Sequence, residues 1–163
     1  MSGIKKRRKT MSTMEQIKSV LSSEEPDYKG GGKHLDRKAL GYLRRIVTKG
    51  DPMTASKAVY LASLVRGAQS EGVVLKALRN PERVVRVAAA GASRNLPPEA
   101  RNAVLLALLG DGDSGVRRVA LKSVPAHPSA KLRAKVYRLS RESPDLAIRR
   151  LAASVMQHLS VEA

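Results

Sequence analysis

The chain has 163 residues, with 31 Lys and Arg against 14 Asp and Glu, a net charge of +17, and no Cys, Trp or Phe. The absence of cysteine excludes disulfides and thiolate metal sites, and a reducing compartment, the cytoplasm, is the expected setting. No apolar run reaches the roughly 18 residues that cross a bilayer, so membrane insertion is not expected, and no signal-type apolar run follows the basic start.

Residues 1–11 contain Lys5-Lys6-Arg7-Arg8-Lys9, five consecutive cations that repel one another. They predict a disordered basic tail, which reads as a flexible arm for nucleic acid or an acidic membrane, as a nuclear address, or equally as an unselected tail. Ser12-Thr13-Met14-Glu15 has the form of a capping box. It opens a helix to about Ser22, with Met14, Ile17, Val20 and Leu21 on one face. Pro26 and Gly30-Gly31-Gly32 cannot hold a helix, so 12–34 reads as a short helix and a Gly-rich linker. Gly30-Gly31-Gly32-Lys33 lacks the spacing of a phosphate-binding loop, and no strand precedes it.

Residues 35–163 carry a net +13 of their own, against +4 for 1–34. Leu35 to Lys49 has helical spacing, with Leu40, Leu43, Ile46 and Val47 apolar. Met53 to Arg66 follows, with Ala55, Ala58, Val59, Ala62 and Val65 inward, and ends at Gly67. Gln69 to Arg79 places Val74, Leu75 and Leu78 inward. Pro81 to Leu96 reads as one helix with Val84, Val85, Ala88 and Ala92 on one face. Pro98 to Leu109 is nearly uncharged, with leucines spread around it, and should be the most buried helix. Asp113 or Ser114 caps the helix carrying Val116, Val119, Ala120 and Val124. Ser129 to Arg141 and a last helix starting after Ser143-Pro144-Asp145 complete about nine helices and no strand.

The central feature is recurrence. Val85-Arg86 returns 31 residues on as Val116-Arg117, and 32 further as Ile148-Arg149; Pro97 returns 31 residues on as Pro128. A helix, a break and a second helix at fixed period mark a helical repeat array. A core of Ala, Val and Leu without Phe or Trp suits thin helix–helix layers.

The segments Asn80-Pro81…Val85-Arg86-Val87-Ala88, Asp113…Val116-Arg117-Arg118-Val119-Ala120 and Ser143-Pro144-Asp145…Ile148-Arg149-Arg150-Leu151-Ala152 resemble the HEAT repeat in its short bacterial form. The resemblance covers 80–159 well and 51–79 loosely. It implies an all-α fold, a right-handed α-solenoid of about four hairpins plus a terminal half repeat, with 35–163 as the repeat domain. It implies a structural ladder in which Arg86, Arg117 and Arg149 pair with acidic residues of neighbouring repeats, Asp111 or Asp113 serving Arg86 and Asp145 serving Arg117. Arg118 and Arg150, about 100° further round their helices, are freer to meet a ligand.

His34, His127 and His158 lack metal-ligand spacing, and no metal or cofactor is expected. The carboxylates sit at helix starts, where capping accounts for them. The resemblance extends to DNA glycosylases and phycobilin lyases of the same architecture. The first depend on aromatics and a mid-helix aspartate that this chain lacks, and nothing here marks the second's tetrapyrrole pocket. The expectation is a non-catalytic scaffold whose basic surface docks an anionic partner, foremost a nucleic-acid backbone. The candidate contacts are Lys76, Arg79, Arg101, Lys131, Arg133, Lys135 and Arg138 on the second helices, which in HEAT arrays line the concave side, with Arg118 and Arg150. Phosphate contacts to double-stranded nucleic acid, with weak sequence preference, fit a chain without Phe or Trp to stack on bases. The alternative is a protein–protein adaptor or assembly factor binding an acidic or apolar protein surface, through residues near Leu105–Leu109 or the end of the last helix.

Overall fold

The computed structural model describes residues 13–25, 27, 28, 35 and 37–161. They form nine α-helices, and no strand occurs among them: α1 (Thr13–Ser22), α2 (Arg37–Lys49), α3 (Pro52–Ser63), α4 (Ala68–Ala77), α5 (Arg83–Ala92), α6 (Pro98–Leu108), α7 (Ser114–Lys122), α8 (Ala130–Glu142) and α9 (Leu146–Val161). The Lys5–Lys9 run, Ser12, Gly30–Gly32 and His34 lie outside the described residues.

Local chemistry sets the helix starts. Asp51 Oδ1 accepts the Thr54 N–H at 2.9 Å, ahead of Pro52 at the first helical position. Asp113 Oδ1 accepts from Val116 N, Ser129 Oγ from Leu132 N, and Asp145 Oδ1 from Ala147 N and Ile148 N. Gly67 precedes α4 with φ +122°, a backbone that residues with a Cβ adopt only under strain.

The contacts are periodic. Each helix from α2 onward packs on its successor or on the helix after that. The odd helices touch in the order α3, α5, α7, α9, and the even helices in the order α2, α4, α6, α8. α1 packs on α2 and α3, with Ile17 and Leu21 buried. Lys57 donates to the Leu21 and Ser23 carbonyls (3.2 and 2.6 Å), satisfying acceptors at the open end of α1.

The core repeats with the contacts. Ala58, Ala89, Ala120 and Ala152, spaced 31, 31 and 32 residues apart, are all 0% exposed. One turn earlier, Val85, Val116 and Ile148 are equally buried. In the even helices the matching series is Leu43, Val74, Leu105 and Val136, each 31 residues from the last and each 0% exposed. Alanine at the crossing lets odd helices approach closely, while the larger residues beside it fill the layer.

Four expectations change. Leu75 is 40% exposed, because the buried register of α4 follows Ser70, Val73, Val74 and Ala77; the constant 31-residue step selects Val74 where a match of leucine to leucine selects its neighbour. Val84 is 41% exposed, since the buried stripe of α5 runs Val85, Ala89, Ala92. The stretch from Pro81 is a ten-residue helix followed by a 3₁₀ turn at Ser93–Asn95, so it is not one helix to Leu96. On α6, Leu105, Leu108 and Leu109 are all inside, leaving Ala103 and Ala107 outward; these leucines offer no apolar docking surface. Within the presumed linker, Tyr28 is half-buried and meets Tyr60 edge-on at 4.7 Å between ring centroids.

Candidate functional site

The arginine at the fourth position of α5, α7 and α9 turns back to the loop before its own helix. Arg86 Nη1 donates to the Asn80 and Pro81 carbonyls at 2.9 and 2.8 Å. Arg117 Nη1 donates to the Asp111 and Gly112 carbonyls at 2.6 and 3.0 Å. Arg149 Nε donates to the Ser143 carbonyl at 2.9 Å. These carbonyls follow helix C-termini, where intrahelical donors run out.

Two of these guanidiniums also reach the corresponding loop one helix pair further along the chain. Arg86 forks onto Asp111, Nε to Oδ2 at 2.8 Å and Nη2 to Oδ1 at 3.2 Å. Arg117 Nη2 stands 3.6 Å from Asp145 Oδ2. Asp113 is the α7 cap and lies 3.7 Å from the exposed Arg83, so Asp111 is the partner of Arg86. Burial on its own would raise the Asp111 carboxyl. The hydrogen bonds from Arg86 and the Asp113 N–H, with the charges of Arg86 and Arg117, outweigh it and hold the group below the usual carboxylate range. The hydrogen bond to Asp111 raises Arg86 in turn. Asn80 Nδ2 adds a bond to the Val47 carbonyl at 2.7 Å. The last turn of α2 at Val47 and the loops at 80–82, 111–113 and 143–145 are thus tied to one another.

The other loops, 64–67, 93–97 and 123–129, form the opposite edge and contain no carboxylate. Asn95 Nδ2 joins Ser63 Oγ across them at 2.9 Å. Arg101 belongs to this edge: its Nη2 donates to the Arg94 and Leu96 carbonyls at 3.1 and 3.2 Å.

The remaining sequence candidates divide by face. Lys76 on α4, Arg79 in the turn after it, and Lys131 and Arg138 on α8 are exposed, and none of them makes an ion pair among the described residues. Lys135 and Arg133 are half-buried; Arg133 Nη2 lies 3.5 Å from the Leu159 carbonyl. Arg118 and Arg150 are exposed on odd helices, away from the even row. The even-helix cations do not form one continuous stripe. Between the α4 and α8 groups, α6 presents Ala103 and Ala107.

Exposed Arg37, Lys38, Arg44 and Arg45 on α2, legible in the sequence as the polar face of that helix, and Arg141 on α8 were not among the candidate contacts, though Arg37 and Arg44, and Lys38 and Arg45, are seven residues apart and Arg138 and Arg141 three. Sequence reading also missed Arg66 and Arg94, loop residues with no periodicity to announce them. His127 is exposed in the α7–α8 loop, and His158 Nδ1 lies 2.7 Å from the Ser154 carbonyl in its own helix. Among the described residues no cluster of three or more His, Asp or Glu is placed to hold a metal, and no helix is long and apolar enough to cross a membrane.

Comparison with protein-family models, curated proteins and solved structures gives no match.

Proposed function

We propose that the chain is a non-catalytic scaffold of HEAT type, a right-handed α-solenoid of about four hairpins plus a half repeat, that docks the phosphate backbone of a nucleic acid. The observation that carries this reading is the pair of exposed, unpaired cation groups on the even row. Lys76 stands on α4 with Arg79 in the turn after it, and Lys131, Arg138 and Arg141 on α8, either side of neutral Ala103 and Ala107 on α6. Neighbouring helices pack about 8–10 Å apart. The two groups are therefore about two helix spacings apart, and a polyanion lying across α6 meets cations on both sides. Asp51, Asp111, Asp113 and Asp145 are engaged as caps and ladder partners, which leaves half-buried Glu71 on α4 and exposed Glu142 on α8 against these five cations. Arginine and lysine on phosphates read no base, so sequence preference is weak.

Binding of a random-sequence duplex at several salt concentrations tests this. Five phosphate contacts give a log–log slope of about −4.5. The triple variant Lys131→Ala, Arg138→Ala, Arg141→Ala lowers it to about −2. No binding at low salt sinks the nucleic-acid reading.

One observation favours a second reading. Leu75 (40% exposed) and Tyr137 (57% exposed) directly precede Lys76 and Arg138 in the chain, so the cation groups have exposed apolar side chains next to them in sequence. That combination suits an acidic amphipathic protein segment, and it makes the protein–protein adaptor the outcome if duplex binding fails.

A further inference from the structure

At the carboxylate-free edge, the α3–α4 and α5–α6 loops enclose a cleft of about 290 Å³ lined by Arg66, Arg94, Asn95 and Arg101, with Val65, Leu96 and Pro97 as its apolar part. That volume is near the small end of ligand sites, roughly 300–1,000 Å³. Three guanidiniums share it with no carboxylate in the lining, although Glu71 and Glu99 lie in the first turns of the flanking helices. Arg66 and Arg94 are exposed and, among the described residues, make no ion pair and no side-chain hydrogen bond.

The third arginine is held in place. Both carbonyl bonds of Arg101 use Nη2, so the side chain is folded against the loop. Its Nε–H is shielded from solvent and has no partner. A solvent-shielded N–H does not open into the cleft, so the donor that Arg101 offers a ligand there is Nη1, which makes no bond among the described residues and is not shielded. Asn95 is fixed as well, through Ser63 Oγ, which itself donates to the Tyr60 carbonyl at 2.6 Å. The starts of α4 and α6 flank the cleft, and neither carries a side-chain cap. Their positive dipole ends add to the field of the arginines.

We propose that this cleft is an oxyanion site that takes a phosphate group, with Arg66 and Arg94 closing on it from solvent and Arg101 as the pre-positioned donor. Arginine forks match phosphate oxygens two at a time, which a lone lysine does not. The site stands apart from the even-helix face, and it does not rest on the nucleic-acid reading. The phosphate can be a free anion or part of a nucleic-acid backbone, and the two sources separate by experiment.

The full-length chain is titrated with inorganic phosphate against chloride at matched ionic strength, following amide and Arg Nε resonances by NMR. Saturable shifts confined to the 64–67 and 93–101 segments are expected. The double variant Arg66→Ala, Arg94→Ala should weaken phosphate binding roughly tenfold or more, from the loss of two charge-assisted contacts. The Lys131, Arg138, Arg141 triple variant should leave it unchanged. Phosphate shifts no different from chloride, or equal binding by wild type and the double variant, overturn the proposal. A duplex arm identifies the source. If the double variant also lowers the salt slope for duplex by about one to two, the ligand is a backbone phosphate. If it abolishes phosphate binding with duplex binding intact, the ligand is a free phosphate compound. Phosphate binding in a chain that binds no duplex keeps this site and discards the nucleic-acid reading alone.

Discussion

Removing Arg86 tests the physical role given to the ladder. Its guanidinium makes four contacts: two to the Asp111 carboxylate at 2.8 and 3.2 Å and two to the Asn80 and Pro81 carbonyls at 2.9 and 2.8 Å. The side chains of Arg86 and Asp111 are only 17% and 10% exposed. Breaking a fully buried pair costs about 3–5 kcal/mol, mostly through the charge left behind. Here Asp111 keeps the Asp113 N–H at 2.9 Å, and some water reaches the site. Arg86→Ala should therefore cost about 2–4 kcal/mol. Part of that penalty belongs to the stranded carboxylate, so Asp111→Ala on top of Arg86→Ala should cost less than Asp111→Ala alone. The double-mutant cycle should give a coupling of about 1–3 kcal/mol. Urea unfolding followed by circular dichroism supplies the numbers, and an unchanged m-value shows that the array still unfolds as a unit. A cost below about 1 kcal/mol, or strictly additive singles, would refute the view that this pair joins successive repeats.

Two further outcomes follow from the core and the caps. Leu108, 1% exposed on α6, should cost about 2–5 kcal/mol when cut to alanine, because stiff helices on both sides close poorly over the cavity; denaturant midpoints measure it, and a cost under about 1 kcal/mol would place α6 outside the core. Stability should fall on acidification. Asp51, Asp111 and Asp113 are all held below the usual carboxylate range: Asp51 chiefly by Thr54, Asp113 chiefly by the Val116 N–H, and Asp111 by Arg86 against its own burial. A depressed carboxylate contributes above its unfolded value of about 3.9, and the contribution disappears as pH falls through the folded value. Thermal melts from pH 6 to 2 should show the loss starting below about pH 5, with a smaller loss in Arg86→Ala; a flat profile would mean the ladder and caps contribute nothing.

The sequence carried the helices because each has a cap or breaker and an apolar stripe. Asp51-Pro52, Asp113 and Pro97-Pro98 mark starts that depend on one side chain and its nearest amides, and such signals survive without tertiary information. Helix registers were harder. Val84 and Val85 are both compatible with an α5 stripe, and only packing against neighbours buries Val85 and leaves Val84 out. Leu75 misled for a similar reason. Leucine is the more conspicuous core residue, yet β-branched Val74 occupies the position equivalent to Leu43 and Leu105. The arginine–loop clamp was half legible. The period exposed Arg86, Arg117 and Arg149, but bonds to carbonyls leave no trace in residue type. The Arg66–Arg94–Arg101 cleft was not legible, since its members come from two loops and one helix start and share no spacing.

The two edges of the array follow from one constraint. Odd helices start at the edge formed by the loops at 50–51, 80–82, 111–113 and 143–145, and their free N–H groups favour acceptors there. Asp51, Asp113 and Asp145 meet that demand, and Asp111 is drawn to the same edge by Arg86. Even helices start at the other edge, where α4 and α6 lack side-chain caps and Arg66, Arg94 and Arg101 gather. With 31 cations against 14 carboxylates, the aspartates gathered at one edge leave Glu71 and Glu99, in the first turns of α4 and α6, as the acidic residues flanking Arg66, Arg94 and Arg101. The cationic edge raises the free energy of the folded chain through self-repulsion and is relieved by any bound anion. Anion binding is therefore linked to stability: a ligand held between Arg66, Arg94 and Arg101 must raise the melting temperature as its concentration passes the dissociation constant, while charge screening by salt follows ionic strength with no such saturation.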